Sequence, residues 1–446
     1  MIAPSLFVPS GAALSRSLEQ AERAIARVFP LKRAHQAELP YAVRDLSRLL
    51  TTDRDQKGGY WSSPRLRGAY LYYFLPWNLL RLARLLPGLP LDLKADDRIL
   101  DLGSGPLTLP IGLWLARPDL RDLPLDLTCA DTAPNPMELG RDILRTLQGV
   151  ASAQSRDFGA IRDCDGASGD ASGDVPGGKA TKTDAFWKTG LLRAPLDQAL
   201  RKGRHLRLIT AANVLNELPT PRGESLEERL GAIFLSMDRA LEPGGQILLI
   251  EPGTRLGGKL VQLVRRQALE IGYEVQAPCL HNAACPFLRD EDDETAHGGG
   301  YGSGRGGGWC HFAHDTAGAT EKLLDLSEDA KLEKERLSLS FILLRKPDGE
   351  GGAATSDQRG SNGSVTAREG KQSKFDRNSA AQSRLSGRVV SGQIRLPVEG
   401  SGYYVCTGEG LGLLVGAGRL ASGEVVEVRK SGGVDAKSGA FKLKMF

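Results

Sequence analysis

Cysteine and histidine side chains, which bind soft metal ions, are concentrated in one stretch of this sequence, Cys279–Asp315. The whole chain has six Cys and six His. Three of the cysteines and four of the histidines fall in this stretch: Cys279, Cys285, Cys310, His281, His297, His311 and His314. A concentration this far above the rest of the chain predicts a metal site.

The spacing leaves the kind of metal centre open. Five residues separate Cys279 from Cys285, unlike the C-x-x-C pairs of zinc ribbons. Pro286 follows Cys285, as a proline often follows an iron–sulfur ligand. Cys406 is the only later cysteine, and four thiolates would suit a [4Fe–4S] cluster or an all-thiolate zinc site. Zinc bound by three Cys and one His, or a set of buried inert cysteines, are the alternatives.

A second candidate site begins at Asp101, where a short apolar strand runs into Gly103-Ser104-Gly105 and then into an apolar helix. A dinucleotide site would have a third Gly at Thr108, and a P-loop would have Gly-Lys-Ser/Thr, so both are disfavoured. The next strand ends in Asp131. This order of acid, glycine turn and second acid resembles the cofactor site of class I S-adenosylmethionine-dependent methyltransferases. A plain tight turn between a strand and a helix of a doubly wound domain is the alternative.

The resemblance implies a role for each residue of this second site. Glycines let the backbone approach the methionine part of the cofactor. Asp131 would accept the ribose hydroxyls, and Asp101 would hold the ammonium group or order the loop. The departure is Leu107, where the family's loop usually has a third Gly. The predicted cofactor-binding residues are Asp101, Gly103, Ser104, Gly105, Asp131 and Asn213.

The sequence identifies no catalytic residue. Amino-group methyltransferases commonly have Asn/Asp-Pro-Pro-aromatic after the third strand, and this chain has Asn213-Val214-Leu215-Asn216-Glu217-Leu218-Pro219. The cysteine nucleophile that pyrimidine C5 methylation needs is absent there. Glu217 could act as a base, although an acid at a strand end is more often structural.

The elements that must position these residues alternate between strands and helices, which predicts an α/β fold. We expect a doubly wound, Rossmann-like class I methyltransferase sheet with an N-terminal helical region and a small C-terminal β domain. Proline is expected to break the N-terminal helices at Pro30, Pro40 and Pro76. The predicted segments are an N-terminal helical region (1–94), an α/β domain (95–347) with disordered insertions near 151–185 and 289–308 and the cysteine-rich stretch 279–315, a disordered linker (348–383) and a small β domain (384–446).

Charge is unevenly distributed along the chain. Residues 1–95 carry +7, residues 96–350 carry −9 and residues 351–446 carry +6, giving the net charge of +4. Basic flanks suggest an anionic partner such as nucleic acid, although solvated surface charge would look the same. Proline and arginine interrupt the most apolar run, 69–86, which argues against a membrane span. Six cysteines in a chain this long do not suggest a secreted disulfide framework.

Taken together, the motifs resemble the methyltransferase-like family of small-ribosomal-subunit proteins, whose mitochondrial members belong to that subunit or assemble it. The family implies a class I methyltransferase fold, binding to small-subunit ribosomal RNA and a [4Fe–4S] cluster on Cys279, Cys285, Cys310 and Cys406. Here the Gly-rich insertion stretches the spacing from Cys285 to Cys310, and the C-terminal segment is less basic than the family leads one to expect. The segments that carry the resemblance are Leu39-Pro40, Tyr60, Ala69-Tyr70-Leu71, Asp101–Pro106, Val214–Leu218, Ile250–Thr254, Pro278-Cys279, Cys285-Pro286 and Trp309-Cys310-His311-Phe312.

Three hypotheses follow for function. The first is a monomeric S-adenosylmethionine-dependent protein that methylates small-subunit ribosomal RNA. The second is a non-catalytic RNA-binding assembly factor with a relic methyltransferase fold. The third is a zinc-containing methyltransferase of small molecules. Because residues 1–29 lack a clear secretory or transit signal, we expect the cytoplasm, with the mitochondrion as the alternative.

Overall fold

The computed structural model of the chain describes residues 5–51, 59–149, 187–218, 223–288, 308–349, 384–436 and 438–446, and the backbone of 162–163. The predicted insertions and linker therefore lie largely outside the described residues. The exceptions are residues 308, 348 and 349 at segment ends and the two-residue strand at Arg162–Asp163, which pairs with a neighbouring strand.

Helices and strands alternate through the middle of the chain. The helices are α1 (Ala12–Val28), α2 (Arg33–Thr51), α3 (Pro64–Ala69), α4 (Leu75–Leu85), α5 (Thr108–Ala116), α6 (Pro134–Leu147), α7 (Leu196–Lys202), α8 (Leu226–Ala240), α9 (Arg255–Glu270) and α10 (Glu321–Asp329). The strands of the first sheet are β1 (Arg98–Leu102), β2 (Asp126–Asp131), β3 (Arg162–Asp163), β4 (Lys188–Arg193), β5 (Leu206–Ala212), β6 (Leu241–Pro252), β7 (Glu274–Ala277), β8 (Phe312–Asp315) and β9 (Arg336–Arg345).

The first sheet has the order β3-β4-β2-β1-β5-β6-β9-β7, with β8 paired to β9. Strands β4, β2, β1, β5 and β6 are parallel, and β9 runs antiparallel between β6 and β7. This is the doubly wound class I methyltransferase topology, as the sequence predicts. The strand order reverses at β1, so the carboxyl ends of β1, β2 and β5 surround the crevice where such sheets bind ligands.

The N-terminal region is helical, but two of the predicted breaks are wrong. Pro40 lies inside α2, which continues through it to Thr51. The helix pair predicted around Pro76 is one continuous helical path from α3 to α4 through a π-helical turn, Tyr70–Phe74. The amide of Leu75 bonds back to Tyr70 in this turn, and Pro76 falls in the first turn of α4, where a missing amide is tolerated.

The C-terminal residues form a second sheet, as predicted. Its strands are β10 (Leu385–Val389), β11 (Ile394–Leu396), β12 (Gly400–Thr407), β13 (Gly410–Val415), β14 (Val425–Val434) and β15 (Phe441–Met445). The order is β10-β14-β15-β13-β12-β11, and an additional β10–β12 pairing closes five strands into a barrel. The β13–β15 pair is parallel, and the other pairs are antiparallel. This is the arrangement of an OB-type Greek-key barrel.

The barrel is packed against the α/β domain through a shared apolar core. Its interior is filled by its own side chains, among them Tyr403, Val405 and Leu443. Tyr404 and Leu413, on the other face of β12 and β13, belong to the large cluster that includes the core of the α/β domain. The β12–β13 face of the barrel is therefore turned inward. No helix among the described residues is long and apolar enough to cross a membrane.

Candidate functional site

The loop after β1 has the backbone geometry of a cofactor cradle. Gly103 and Gly105 both have positive φ, +59° and +50°. A Cβ on Gly103 would lie 2.2 Å from Val214 Cγ2, so this glycine lets the loop approach the segment after β5. A Cβ on Gly105 would meet nothing within 4 Å, so the backbone there faces open space. Buried Leu107 also has positive φ, +55°, and adopts the conformation that a third glycine would favour.

Asp131, at the end of β2, braces this loop. One carboxylate oxygen accepts the backbone N–H of Gly105 at 2.9 Å, and the other accepts that of Ala133 at 2.9 Å. Each oxygen retains a second lone pair for another donor. The residue predicted to hold the ribose thus also holds the glycine loop in place.

Asp101 and Ser104 are buried at the base of the same loop. The Asp101 carboxylate accepts the hydroxyl of Thr210 on β5 at 2.6 Å, and the Ser104 hydroxyl donates to the Asp101 carbonyl oxygen at 2.9 Å. Burial raises the pKa of Asp101 to about 6. Its second oxygen has no hydrogen-bond partner among the described residues. Of the two roles predicted for Asp101, ordering the loop is visible in these contacts.

Asn213 lies at the third strand end that borders the crevice. It has positive φ, +59°, and its backbone N–H donates to Ile250 on the next strand at 2.8 Å. Its side-chain oxygen is buried and has no hydrogen-bond partner among the described residues. A buried acceptor of this kind favours a donor from a ligand.

Glu251, for which the sequence predicts no role, binds the backbone of the segment after β5. It is fully buried at the end of β6, and its carboxylate accepts the backbone N–H of Leu215 at 2.9 Å. Burial raises its pKa to about 8, against the opposing effect of hydrogen bonds from backbone amides, including those of Leu215, Asn216 and Val214. A charged residue closing an otherwise apolar strand was the signal that could have identified it.

The N-terminal region contributes an aromatic cluster to the crevice. Trp61 lies 5.1 Å from Tyr60 and 4.7 Å from Tyr70, measured between ring centroids. Burial raises the pKa of both tyrosines, and the nearby carboxylates of Glu217 and Asp131 raise it further. Both tyrosine side chains are thus within electrostatic reach of the two strand-end acids. The sequence pattern of the N-terminal helices does not indicate a chemical role for these residues.

The four cysteines predicted as metal ligands come together although they lie on separate elements. Cys279 and Cys285 are in the loop after β7, Cys310 precedes β8, and Cys406 is on β12 of the barrel. All four border a single cavity, and each is a free thiol. Burial raises the pKa of Cys310 well above its usual range, and the neighbouring cysteines raise it further.

The thiols are chemically suited to bind a soft metal ion, but their positions do not form a coordination shell. Within the described ranges, no three Cys, His, Asp or Glu side chains are arranged to hold a metal ion. The donor set is nevertheless four sulfurs facing one space, which is the set that a [4Fe–4S] cluster or an all-thiolate zinc ion requires.

The histidines of the stretch have different surroundings. His281 Nε2 lies 3.4 Å from Cys406 Sγ at the cavity. The ring of His311 stacks on Trp309, with centroids 5.1 Å apart. His314 packs against Phe7 and bonds through Nδ1 to the Asp315 backbone oxygen, and burial lowers its pKa to about 4. His297 lies outside the described residues.

Comparison with known proteins gives one family match. A family model described as Rsm22, mitochondrial small ribosomal subunit Rsm22, matches residues 178–353. The matched range includes Cys279, Cys285 and Cys310, whereas the glycine loop and Cys406 lie outside it. A search of curated proteins found no match.

Solved structures with partial similarity include methyltransferases. A methyltransferase from Thiobacillus denitrificans in complex with S-adenosyl-L-homocysteine is 15% identical, with coverage of 60% of this chain and 90% of that chain and a TM-score of 0.29. A putative class I methyltransferase from Listeria monocytogenes is 10% identical, with coverage of 76% and 88% and a TM-score of 0.31. TrmN from Thermus thermophilus is 15% identical, with coverage of 62% and 53% and a TM-score of 0.28. Similarity this low carries no argument about activity, and the fold assignment rests on strand order and direction.

Proposed function

We propose that this chain is an S-adenosylmethionine-dependent, methyltransferase-like protein of the mitochondrial small ribosomal subunit that acts on small-subunit ribosomal RNA. The match of residues 178–353 to the Rsm22 family carries the proposal, because that family is described as mitochondrial and as part of the small subunit. The description favours the mitochondrial alternative over the cytoplasmic location expected from the sequence.

The proposed cofactor site is the crevice at the ends of β1, β2 and β5. Open space in front of Gly105 and the buried oxygens of Asp101 and Asn213 support it. When bound, S-adenosylmethionine would supply an activated methyl group on its sulfonium. The protein's contribution would be to position it through Gly103, Ser104 and Gly105, with Asp131 toward the ribose.

The proposed metal site is the four-cysteine cavity, and a [4Fe–4S] cluster is the centre we favour, with zinc as the alternative. Its ligands would be Cys279, Cys285, Cys310 and Cys406. Three of these cysteines belong to the α/β domain, and the fourth belongs to the barrel. A centre held by all four would fasten the barrel to the α/β domain, a structural role.

The proposed RNA contact includes the outer face of the barrel. OB-type barrels recurrently bind oligonucleotides, usually over their second and third strands, but here the β12–β13 face is turned inward. On the outer face, Arg429 and Lys444 are exposed and directly opposite each other in the β14–β15 pair. Like charges opposite each other are unfavourable unless an anion is bound between them. Phosphate groups of RNA would supply that anion.

The test is binding of the full chain to a small-subunit ribosomal RNA fragment at several salt concentrations. The double variant Arg429→Glu/Lys444→Glu is expected to bind more weakly, with a salt slope shallower by about two. Arg201→Glu/Arg239→Glu, exposed on α7 and α8, is the charge-matched control. Equal binding of a large-subunit fragment of the same length would contradict the proposal.

A non-catalytic assembly factor is the second candidate, and two hydrogen bonds of Asp131 favour it. Both oxygens of Asp131 already accept N–H groups of the protein, so its capacity for a ribose is shared. Transfer of labelled methyl groups to the RNA fragment separates the two candidates. RNA binding without methyl transfer, together with rescue of a deletion strain by a cofactor-loop variant, would establish the scaffold role.

A further inference from the structure

Two buried arginines lie against the four-cysteine cavity. Arg265, on α9, is 4% exposed and lines the cavity, and Arg388, on β10, is 5% exposed. Arg388 is within electrostatic reach of Cys279, Cys310 and Cys406, and Arg265 is within reach of Cys285, Cys310 and Cys406. One arginine belongs to the α/β domain and the other to the barrel.

Both arginines hold the backbone that carries the first two cysteines. Arg265 donates to the carbonyl oxygens of His281 at 3.0 Å and Ala283 at 2.7 Å, between Cys279 and Cys285. Arg388 donates to the carbonyl oxygen of Pro278, immediately before Cys279. It also donates to the Gly423 carbonyl oxygen at 2.7 Å. The loop is thus fixed from both domains.

Among the residues that the structure describes, no carboxylate pairs with either of these arginines. The hydrogen-bond partners of both side chains are backbone carbonyl oxygens, which are dipoles without a net charge. A buried guanidinium without a counter-charge is costly, because carbonyl dipoles replace only part of its hydration. Four protonated thiols provide no counter-charge. Four thiolates around Zn²⁺ or around an oxidised [4Fe–4S] core carry about −2, which two guanidinium groups balance.

We propose that Arg265 and Arg388 are positioning residues that neutralise the charge of an all-thiolate centre at this cavity. The inference rests on the metal site of the proposed function. It favours a centre of about −2 charge over zinc bound by three Cys and one His, which carries about −1. In this proposal each domain supplies one positive charge, from Arg265 or Arg388, that stabilises the negatively charged centre.

The first measurement is iron, sulfide and zinc content of the full chain after anaerobic reconstitution, for wild type, Arg265→Gln, Arg388→Gln and the corresponding Lys variants. Gln keeps a hydrogen-bond donor without the charge, and Lys keeps the charge. The Gln variants are expected to retain less than half of the wild-type metal, and the Lys variants to recover most of it. Arg207→Gln, a buried arginine paired with Asp92, is the matched control.

The second measurement separates charge from packing. If Arg388→Gln holds a cluster, its one-electron reduction equilibrium should shift at least tenfold toward the oxidised form. The reduction potential would then be at least about 59 mV more negative than that of wild type. In a Cys310→Ser background, the same Arg388→Gln change is expected to stabilise the metal-free protein, because it removes an unbalanced charge. A purely structural arginine would destabilise both forms.

The outcomes are distinct. A wild-type chain that takes up neither iron nor zinc would overturn the proposed metal site and this inference with it. A wild-type chain that takes up metal while the Gln variants match it in content and potential would overturn the arginine role alone.

Discussion

The carboxylate of Asp131 and the backbone nitrogen of Gly105 are joined by a 2.9 Å hydrogen bond at the carboxyl ends of β1 and β2. This contact makes the acid at the end of β2 a support of the glycine loop as well as a proposed ribose acceptor. Removing it therefore affects the cofactor site in two ways, through the lost acceptor and through the released loop.

Asp131→Ala is expected to weaken binding of S-adenosylhomocysteine by about 10- to 100-fold, because hydrogen bonds to a charged group contribute about 1.5–3 kcal/mol. Calorimetric titration of the full chain measures the change. Asp126→Ala, at the opposite end of the same strand, is the control. Equal affinity for wild type and Asp131→Ala would remove Asp131 from the site.

Gly103 and Gly105 share a backbone conformation but differ in their surroundings, which predicts different costs for alanine. Gly103→Ala should lower the free energy of unfolding by roughly 2–4 kcal/mol, since strain at positive φ adds to the clash with Val214. Gly105→Ala should lower the free energy of unfolding by about 1 kcal/mol, because only the strain of a positive φ applies there. The added methyl group would lie in the space proposed for the cofactor. Urea unfolding and cofactor titration of both variants test this contrast, and similar unfolding costs would contradict it.

Glu251 should make stability depend on pH between about 5 and 8. Its folded-state pKa of about 8 lies above the unfolded value, so in this window the folded chain holds a proton that the unfolded chain has released. The stability that Glu251 contributes is fully present below its pKa in the unfolded chain. This stability is lost as pH rises through its pKa in the folded chain. Glu251→Gln keeps an oxygen acceptor for Leu215 and cannot titrate.

The wild-type free energy of unfolding, minus that of Glu251→Gln, is therefore expected to fall with rising pH by up to about 1.4 kcal/mol per unit. Urea unfolding at pH 5.5, 6.5 and 7.5 gives this difference. Exposed Glu270→Gln controls for the chemical change. A difference that stays constant across the three pH values would argue against a buried proton on Glu251.

Cys406→Ser tests whether the barrel is fastened through the cysteine cavity. The variant is expected to lose most of its bound metal and to release residues 384–446 to limited proteolysis sooner than wild type, because the other three cysteines lie in the α/β domain. Cys129→Ala, in buried β2 away from the cavity, is the control. Unchanged metal content together with unchanged protease resistance would refute the fastening role.

The sequence predicts the fold, and the position of Asp101 and Asp131 at the ends of their strands, because both depend on local pattern. An apolar strand, a glycine turn and a helix are contiguous, and the acids at strand ends meet at one sheet edge whatever the details of packing. The break predicted at Pro76 is wrong because the π-helical turn Tyr70–Phe74 precedes it and continues the helical path. The break predicted at Pro40 is wrong because α2 continues through that residue.

The sequence does not predict the roles of residues whose contacts lie far away along the chain. Glu251 bonds to Leu215, 36 positions away, and Arg388 bonds to Pro278, 110 positions away. Cys406 was a candidate only as the one later cysteine and through a family resemblance, since nothing in its spacing connects it to Cys279. Tyr60 and Tyr70 reach the crevice because the N-terminal helices fold back over the sheet, and periodicity alone does not predict where a helix packs.

The positions of the four cysteines along the chain determine when the cavity can be completed during synthesis. The cavity has three of its sulfurs once residue 310 has been made, and it is closed only when β12 has been made and has paired within the barrel. A centre that needs all four sulfurs cannot be completed on a nascent or truncated chain. Occupancy of the proposed metal site would therefore report that synthesis has passed residue 406 and that the barrel has folded against the α/β domain.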